Sequence, residues 1–69
     1  MLKDYKTIGE KLVFLRGSRT QIEVARDLGI SVSALSMYET NRRVPRDEIK
    51  IRISDYYDVK ICDLFYCVE

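Results

Sequence analysis

Apolar residues recur along this chain at helical spacing, and one Pro and three Gly leave long uninterrupted segments, which favours helix. Ile8, Leu12 and Leu15 stand at i, i+4 and i+7, which predicts a first helix over about residues 4–16. Either Asp4 or Thr7 can cap it, the latter with Glu10 three residues on as a capping box. Gly9 inside this helix costs about 1 kcal/mol relative to alanine. Val13 and Phe14 fall off the apolar face. Gly17 directly after Arg16 suits a C-terminal cap. A second helix is predicted from Thr20 to about Leu28, opened by the T-x-x-E box of Thr20 and Glu23, with Val24, Ala25 and Leu28 inward.

Gly29, Ile30 and Ser31 make a tight turn, with Gly29 in the left-handed conformation and Ser31 as the next N-cap. The third helix, about Val32 to Glu39, turns Leu35 and Tyr38 inward. Ser31, Val32, Ser33, Ser36 and Met37 are left on the other side. A short helix with small outward residues, braced by another across a glycine turn, can enter a groove. The segment Thr40 to Pro45 is a polar, basic loop in which Asn41 can take positive φ as glycine would. A fourth helix is expected over about 46–57, with Ile49, Ile53, Tyr56 and Tyr57 buried and Ile51 pointing elsewhere. A fifth covers about 61–66. The expected fold is all-α, five helices in one domain over residues 1–69.

Composition narrows the class. Apolar residues are 46% and charged residues 33%, the balance of a globular chain rather than a disordered one. Sixty-nine residues bury only a modest core, so self-association would add stability. No apolar run reaches the ~20 residues that span a bilayer, and Lys3 and Asp4 interrupt any signal-peptide pattern. Cys62 and Cys67 are read as reduced thiols of a cytoplasmic protein. With no histidine in the chain, no metal site or catalytic base is expected, and neither an enzyme nor a cofactor is. The net charge of +1 is uninformative, but its distribution is polarised. Residues 1–46 carry nine Lys/Arg against five Asp/Glu, and residues 47–69 carry three against six. A phosphate-binding surface would lie on the first two-thirds.

Five segments in register carry a resemblance. They are I-G-E-K-L-x-x-L-R (Ile8 to Arg16), T-Q-x-E-V-A-x-x-L-G-I-S (Thr20 to Ser31), A-L-S-x-Y-E (Ala34 to Glu39), N-R-R-x-P (Asn41 to Pro45) and D-V-K-I-x-D-L-F (Asp58 to Phe65). Together they resemble the lambda-repressor-like, Cro-type helix-turn-helix domains of the XRE family over about residues 7–66. The resemblance implies a compact five-helix domain whose third helix reads double-stranded DNA. It departs from the family pattern in a short first link, in Asn41 for a glycine, in Lys60 for a capping Ser or Thr, and in Tyr57 for a leucine.

For this chain the resemblance implies a DNA-binding transcriptional regulator, a small homodimeric repressor of phage or mobile-element type acting on an operator. Ser31, Val32, Ser33, Ser36 and Met37 would contact bases, the serines as donors or acceptors and Val32 and Met37 against thymine methyls. Thr20, Gln21, Thr40, Asn41, Arg42, Arg43 and Arg46 would contact phosphates, Thr20 and Gln21 from a helix N-terminus. Arg16 and Glu39 would form a structural ion pair. Val13, Phe14 and Ile51 are candidates for the dimer interface. No membrane association and no small-molecule effector domain are expected. The rival reading is an antitoxin or protein-interaction module on the same fold, using exposed Val13, Phe14, Ile22 and Ile51.

Overall fold

The computed structural model describes residues 2–65, with the Lys3 side chain outside the description. A 3₁₀ turn, Leu2–Asp4, precedes five helices: α1 (Ile8–Arg16), α2 (Gln21–Leu28), α3 (Val32–Glu39), α4 (Asp47–Tyr57) and α5 (Ile61–Phe65). Among the described residues there is no strand. Helix α3 packs against α1 and α2, α5 against α4, α1 and the 3₁₀ turn, and α2 against α4. Leu12, Val24, Ala25, Leu28, Leu35, Tyr38, Ile53, Leu64 and Phe65 form the buried core. Every helix contributes to it, as the apolar spacing required. Ile8, Leu15, Ile49, Tyr56 and Tyr57 are only half-buried at its edge.

The first helix is shorter than the expected 4–16, because Thr7 and not Asp4 caps it. The Thr7 hydroxyl accepts from the Glu10 amide at 3.1 Å. The Glu10 carboxylate closes on the Lys6 amide at 3.0 Å, one residue outside the usual box. Helix α2 begins at Gln21 with Thr20 as its cap, and α4 at Asp47, where Arg46 is the N-cap residue but supplies no side-chain cap. Helix α5 is described to Phe65, so Tyr66 and Cys67 lie outside the described residues.

Three helices stop by the same device. Gly29 (φ 73°), Asn41 (φ 63°) and Asp58 (φ 55°) each adopt the left-handed conformation just past a helix. In each case the amide of the following residue bonds back across the last turn: Ile30 to the Ala25 carbonyl, Arg42 to Met37 and Val59 to Ser54, at 2.9 to 3.0 Å. Gly17 departs from this pattern. At φ 60° and ψ −129° it occupies backbone space closed to residues with a Cβ, while its amide still satisfies the Val13 carbonyl.

Side chains from neighbouring helices supply the remaining caps. Lys11 is 1% exposed, and its Nζ donates to the Asp63 carbonyl at 3.1 Å, joining α1 to α5. Arg52 Nη1 donates to the Leu28 carbonyl at 2.9 Å, closing α2 from α4. The Tyr56 hydroxyl donates to Asp27 at 2.8 Å across the same pair of helices.

Gly9 has a tertiary role that its helix cost obscures. It sits against the end of α3, where an added Cβ would collide with the Glu39 carbonyl and lie 2.9 Å from Asn41 Nδ2. The obstacle is backbone and cannot rotate away. Helix propensity alone favours Gly9→Ala by about 1 kcal/mol. Overpacking against backbone costs about 1–3 kcal/mol and displaces α3, so it wins. Gly9→Ala is therefore expected to destabilise the protein by about 1 kcal/mol net of the propensity gain, read as a melting point lowered by roughly 5 °C. An unchanged or raised melting point would show that α1 and α3 are not in this close contact.

Candidate nucleic-acid interface

The surface is built on α2, the Gly29 turn and α3. At the α2 N-terminus the Thr20 hydroxyl accepts from the Glu23 amide at 3.0 Å, and the Glu23 carboxylate accepts from the Thr20 amide at 3.1 Å. The amides of Gln21 and Ile22 occupy the first turn, where a helix has no acceptor of its own. Such amides attract an anion. At the start of α3 the Ser31 hydroxyl accepts from the Ala34 amide at 3.0 Å. One of its lone pairs is thus committed to capping.

Helix α3 presents a sparse reading surface. Ser33 is exposed and Val32 is 40% exposed. Ser36 and Met37 are half-buried rather than left outside, because the chain after α3 folds back over the end of the helix. The Arg42 and Arg43 amides both reach the Met37 carbonyl, at 2.9 and 3.3 Å. The Thr40 hydroxyl donates to the Ser36 carbonyl at 2.8 Å, which leaves its oxygen lone pairs but not its proton for a further contact.

Asn41 is also engaged internally. Its Oδ1 accepts from the Gly9 amide at 2.8 Å and its Nδ2 donates to Thr7 Oγ1 at 3.1 Å. The side chain completes the N-terminal cap of α1, satisfying a first-turn donor that Thr7 does not reach. A phosphate contact by Asn41 would have to come from its backbone or from its second Nδ2 proton. Arg42, Arg43 and Arg46 differ. All three are exposed, and no acceptor for their guanidinium groups occurs among the described residues. Three unpaired cations within five residues follow the C-terminus of α3 directly.

The interface is held from behind by Glu39. This residue is 7% exposed, and both its carboxylate oxygens are used. Oε2 accepts from Arg16 Nε at 2.8 Å and Oε1 from Gln21 Nε2 at 2.8 Å. Arg16 Nη1 in turn donates to the Arg19 carbonyl at 2.8 Å. One carboxylate thus ties together α1, the following loop, α2 and α3. Gln21, expected only as a phosphate ligand, already donates one amide proton inside the protein. The spacing of Arg16, Gln21 and Glu39 could not reveal this, since three helices must pack before those atoms meet.

Tyr57 stands beside this network. Its hydroxyl is enclosed and has no hydrogen-bond partner among the described residues. Burial, and secondarily the Glu39 carboxylate, push its pKa up from 10.0 to about 12. The Arg19 guanidinium lies 5.3 Å from the Tyr56 ring centre and 5.5 Å from that of Tyr57, packing the loop after α1 onto α4.

Two short helices joined at a left-handed glycine, the second with an exposed start at Val32 and Ser33 and followed by exposed arginines, define a helix-turn-helix domain. Sequence comparison agrees with the geometry: the model of the helix-turn-helix family HTH_3 matches residues 15–64. The chain belongs to this family, the XRE type of helix-turn-helix domain, and its class is that of a DNA-binding transcriptional regulator. Comparison with curated proteins and with solved structures returned no match. No described helix is long and apolar enough to cross a membrane.

Two substitutions test the scaffold of this surface. Asn41→Gly keeps the left-handed backbone but loses the α1 cap, and is expected to cost about 1 kcal/mol. Asn41→Ala loses the cap and adds left-handed strain of roughly another 1 kcal/mol. Denaturant unfolding should therefore rank wild type above Gly above Ala; equal stability of all three would remove the capping role.

For Tyr57 the folded pKa lies above the unfolded one. Its contribution is fully present below about pH 10 and is lost between pH 10 and 12, where the unfolded chain releases its proton first. Tyr57→Phe should flatten that alkaline loss and, by removing an unpartnered hydroxyl, raise neutral-pH stability by about 1 kcal/mol. A destabilised Phe variant would show that the hydroxyl is in fact satisfied.

Proposed function

We propose that the protein is a small cytoplasmic repressor of phage or mobile-element type, a single domain over residues 1–69 that binds a double-stranded DNA operator as a homodimer. The observation that carries this reading is the cluster of Arg42, Arg43 and Arg46 just after α3, exposed and without acceptors among the described residues. Phosphates would be met by these arginines, by the α2 N-terminal amides and by Gln21. Bases would be met by Val32 and Ser33, with Ser31, Ser36 and Met37 contributing the edges they leave open. No Arg, Gln or Asn stands on α3 to make a bidentate base contact. Specificity then leans on apolar contacts, on hydroxyls and on DNA shape.

Dimerisation would use Val13, Phe14 and Ile51, which are 45%, 41% and 54% exposed. A second reading, the protein-interaction module, has one observation in its favour. Val13 and Phe14 line a shallow open groove of about 550 Å³ with Tyr5, Glu10 and Glu39, and Tyr5 and Phe14 pack ring to ring at 5.0 Å. Such a groove suits a partner's apolar side chain.

Binding of a fluorescent randomised DNA duplex pool at two salt concentrations tests the leading reading. Affinity should fall by roughly two orders of magnitude between about 50 and 200 mM salt, as expected for several phosphate contacts. Replacing Arg42 and Arg43 by alanine should lower the salt slope by about two. Selection from the pool should enrich particular sequences. Absent or salt-independent binding would reject the DNA reading, and binding without enrichment would reject the specific repressor.

A further inference from the structure

We propose that Glu39 is a positioning residue for DNA binding, acting through the carboxamide of Gln21. The inference rests on the reading of the α2 N-terminus as a phosphate site, and it adds the reason why Gln21 can serve there. A carboxamide has two ends of opposite polarity: its oxygen repels a phosphate and its amine attracts one. At an exposed position the two orientations interchange freely. Here they are not equivalent. An ionised carboxylate can only accept, so the amine end of Gln21 must face Glu39 Oε1, as it does at 2.8 Å.

The other carboxylate oxygen cannot relax to accommodate a flipped amide, because Arg16 Nε holds it at 2.8 Å. Burial of the Glu39 side chain to 2% exposure shields both bonds from competing water. One Nε2 proton is thus committed inward. The second proton has no acceptor among the described residues, and in the proposed site it joins the first-turn amides of Gln21 and Ile22 on one anion. The half-buried Gln21 side chain also has less freedom to lose when a phosphate arrives. The same carboxylate that packs α3 on α1 therefore sets the polarity of the α2 terminus.

Glu39→Gln tests this, because a carboxamide offers one acceptor oxygen where the carboxylate offers two. Arg16, the charged donor, claims that oxygen, so a donor amine faces Gln21 and its Nε2 loses the inward acceptor. Affinity for a short mixed-sequence DNA duplex is measured for wild type, Glu39→Gln, Gln21→Ala and the double variant, with thermal melting recorded for each. Glu39→Gln should weaken binding roughly tenfold in the wild-type background and have little effect in the Gln21→Ala background. Equal weakening in both backgrounds would overturn the proposal, since a merely structural effect does not pass through Gln21. Tighter binding by Glu39→Gln would overturn it as well.

A measurement on the wild-type protein is independent of folding in the variants. By NMR, one Gln21 Nε2 proton should be protected from exchange in the free protein, and the second should shift when the duplex is added. Unprotected protons, or protons unmoved by bound duplex, would overturn the assignment. Wild type that fails to bind the duplex at low salt would reject the DNA reading itself and this inference with it. Binding without coupling between Glu39 and Gln21 would reject the inference alone.

Discussion

The buried carboxylate of Glu39 is the constraint on which the surface depends. A carboxylate out of water is costly unless each oxygen finds a donor, and removal of one partner leaves that cost uncovered. The chain meets the requirement with donors from two other helices, Arg16 of α1 and Gln21 of α2. Satisfying the charge is therefore the same event as docking α3 against both neighbours. Gly9 permits this by lacking a Cβ, which would collide with the Glu39 carbonyl. Immediately beyond, Asn41 fastens the chain after α3 to the start of α1. The end of the exposed helix is gripped at three successive points before the arginine loop begins.

A chain of this size has few residues to spare for a core, and its polar side chains are used accordingly. Helix ends expose unpaired amides and carbonyls that each cost free energy if buried. Several are satisfied here by residues from other segments: the α1 start by Asn41, the α2 end by Arg52, and the Asp63 carbonyl of α5 by Lys11. Each bond satisfies a helix group and ties two segments together at once. The tyrosines of α4 do similar work, with Tyr56 bonded to Asp27 and both rings against Arg19. Tyr57 is the exception, a hydroxyl enclosed without a partner where an apolar side chain would serve.

These constraints bear on how the domain would meet DNA. Arg42, Arg43 and Arg46 after α3 have no acceptor among the described residues, whereas Arg16, Arg19, Lys11 and Arg52 all have internal partners. A guanidinium already bonded within the protein adds little to phosphate binding, so a count of basic residues overstates the electrostatic footprint. The useful charge is concentrated at Arg42, Arg43 and Arg46, whose loop is anchored by backbone bonds to Met37. At the start of the same helix Val32 and Ser33 leave a small, weakly polar exposed face.

Much of the fold was legible in the sequence because helix signals are local. Apolar spacing pointed to the first four helices, and their core residues lie on the predicted inward faces, whose edge residues Ile8, Leu15, Ile49, Tyr56 and Tyr57 are only half-buried. Thr20 with Glu23, Ser31, and the left-handed Gly29 and Asn41 were readable from residue type and position, since caps and positive φ depend on a few adjacent residues. Errors at the first helix had the same local origin, as two competing caps stood three residues apart. The candidate site was legible only as positions along the chain. The positions of Arg16, Gln21 and Glu39 gave no hint that one carboxylate would hold both donors, and the Arg16–Glu39 pairing itself rested on resemblance. Asn41 looked like a loop residue and Gly9 like a weak point, and nothing in the sequence marked Lys11. Tertiary structure decided all of these, because the tips of long side chains meet partners across helices, and periodicity reports which side a residue faces but not what it touches there.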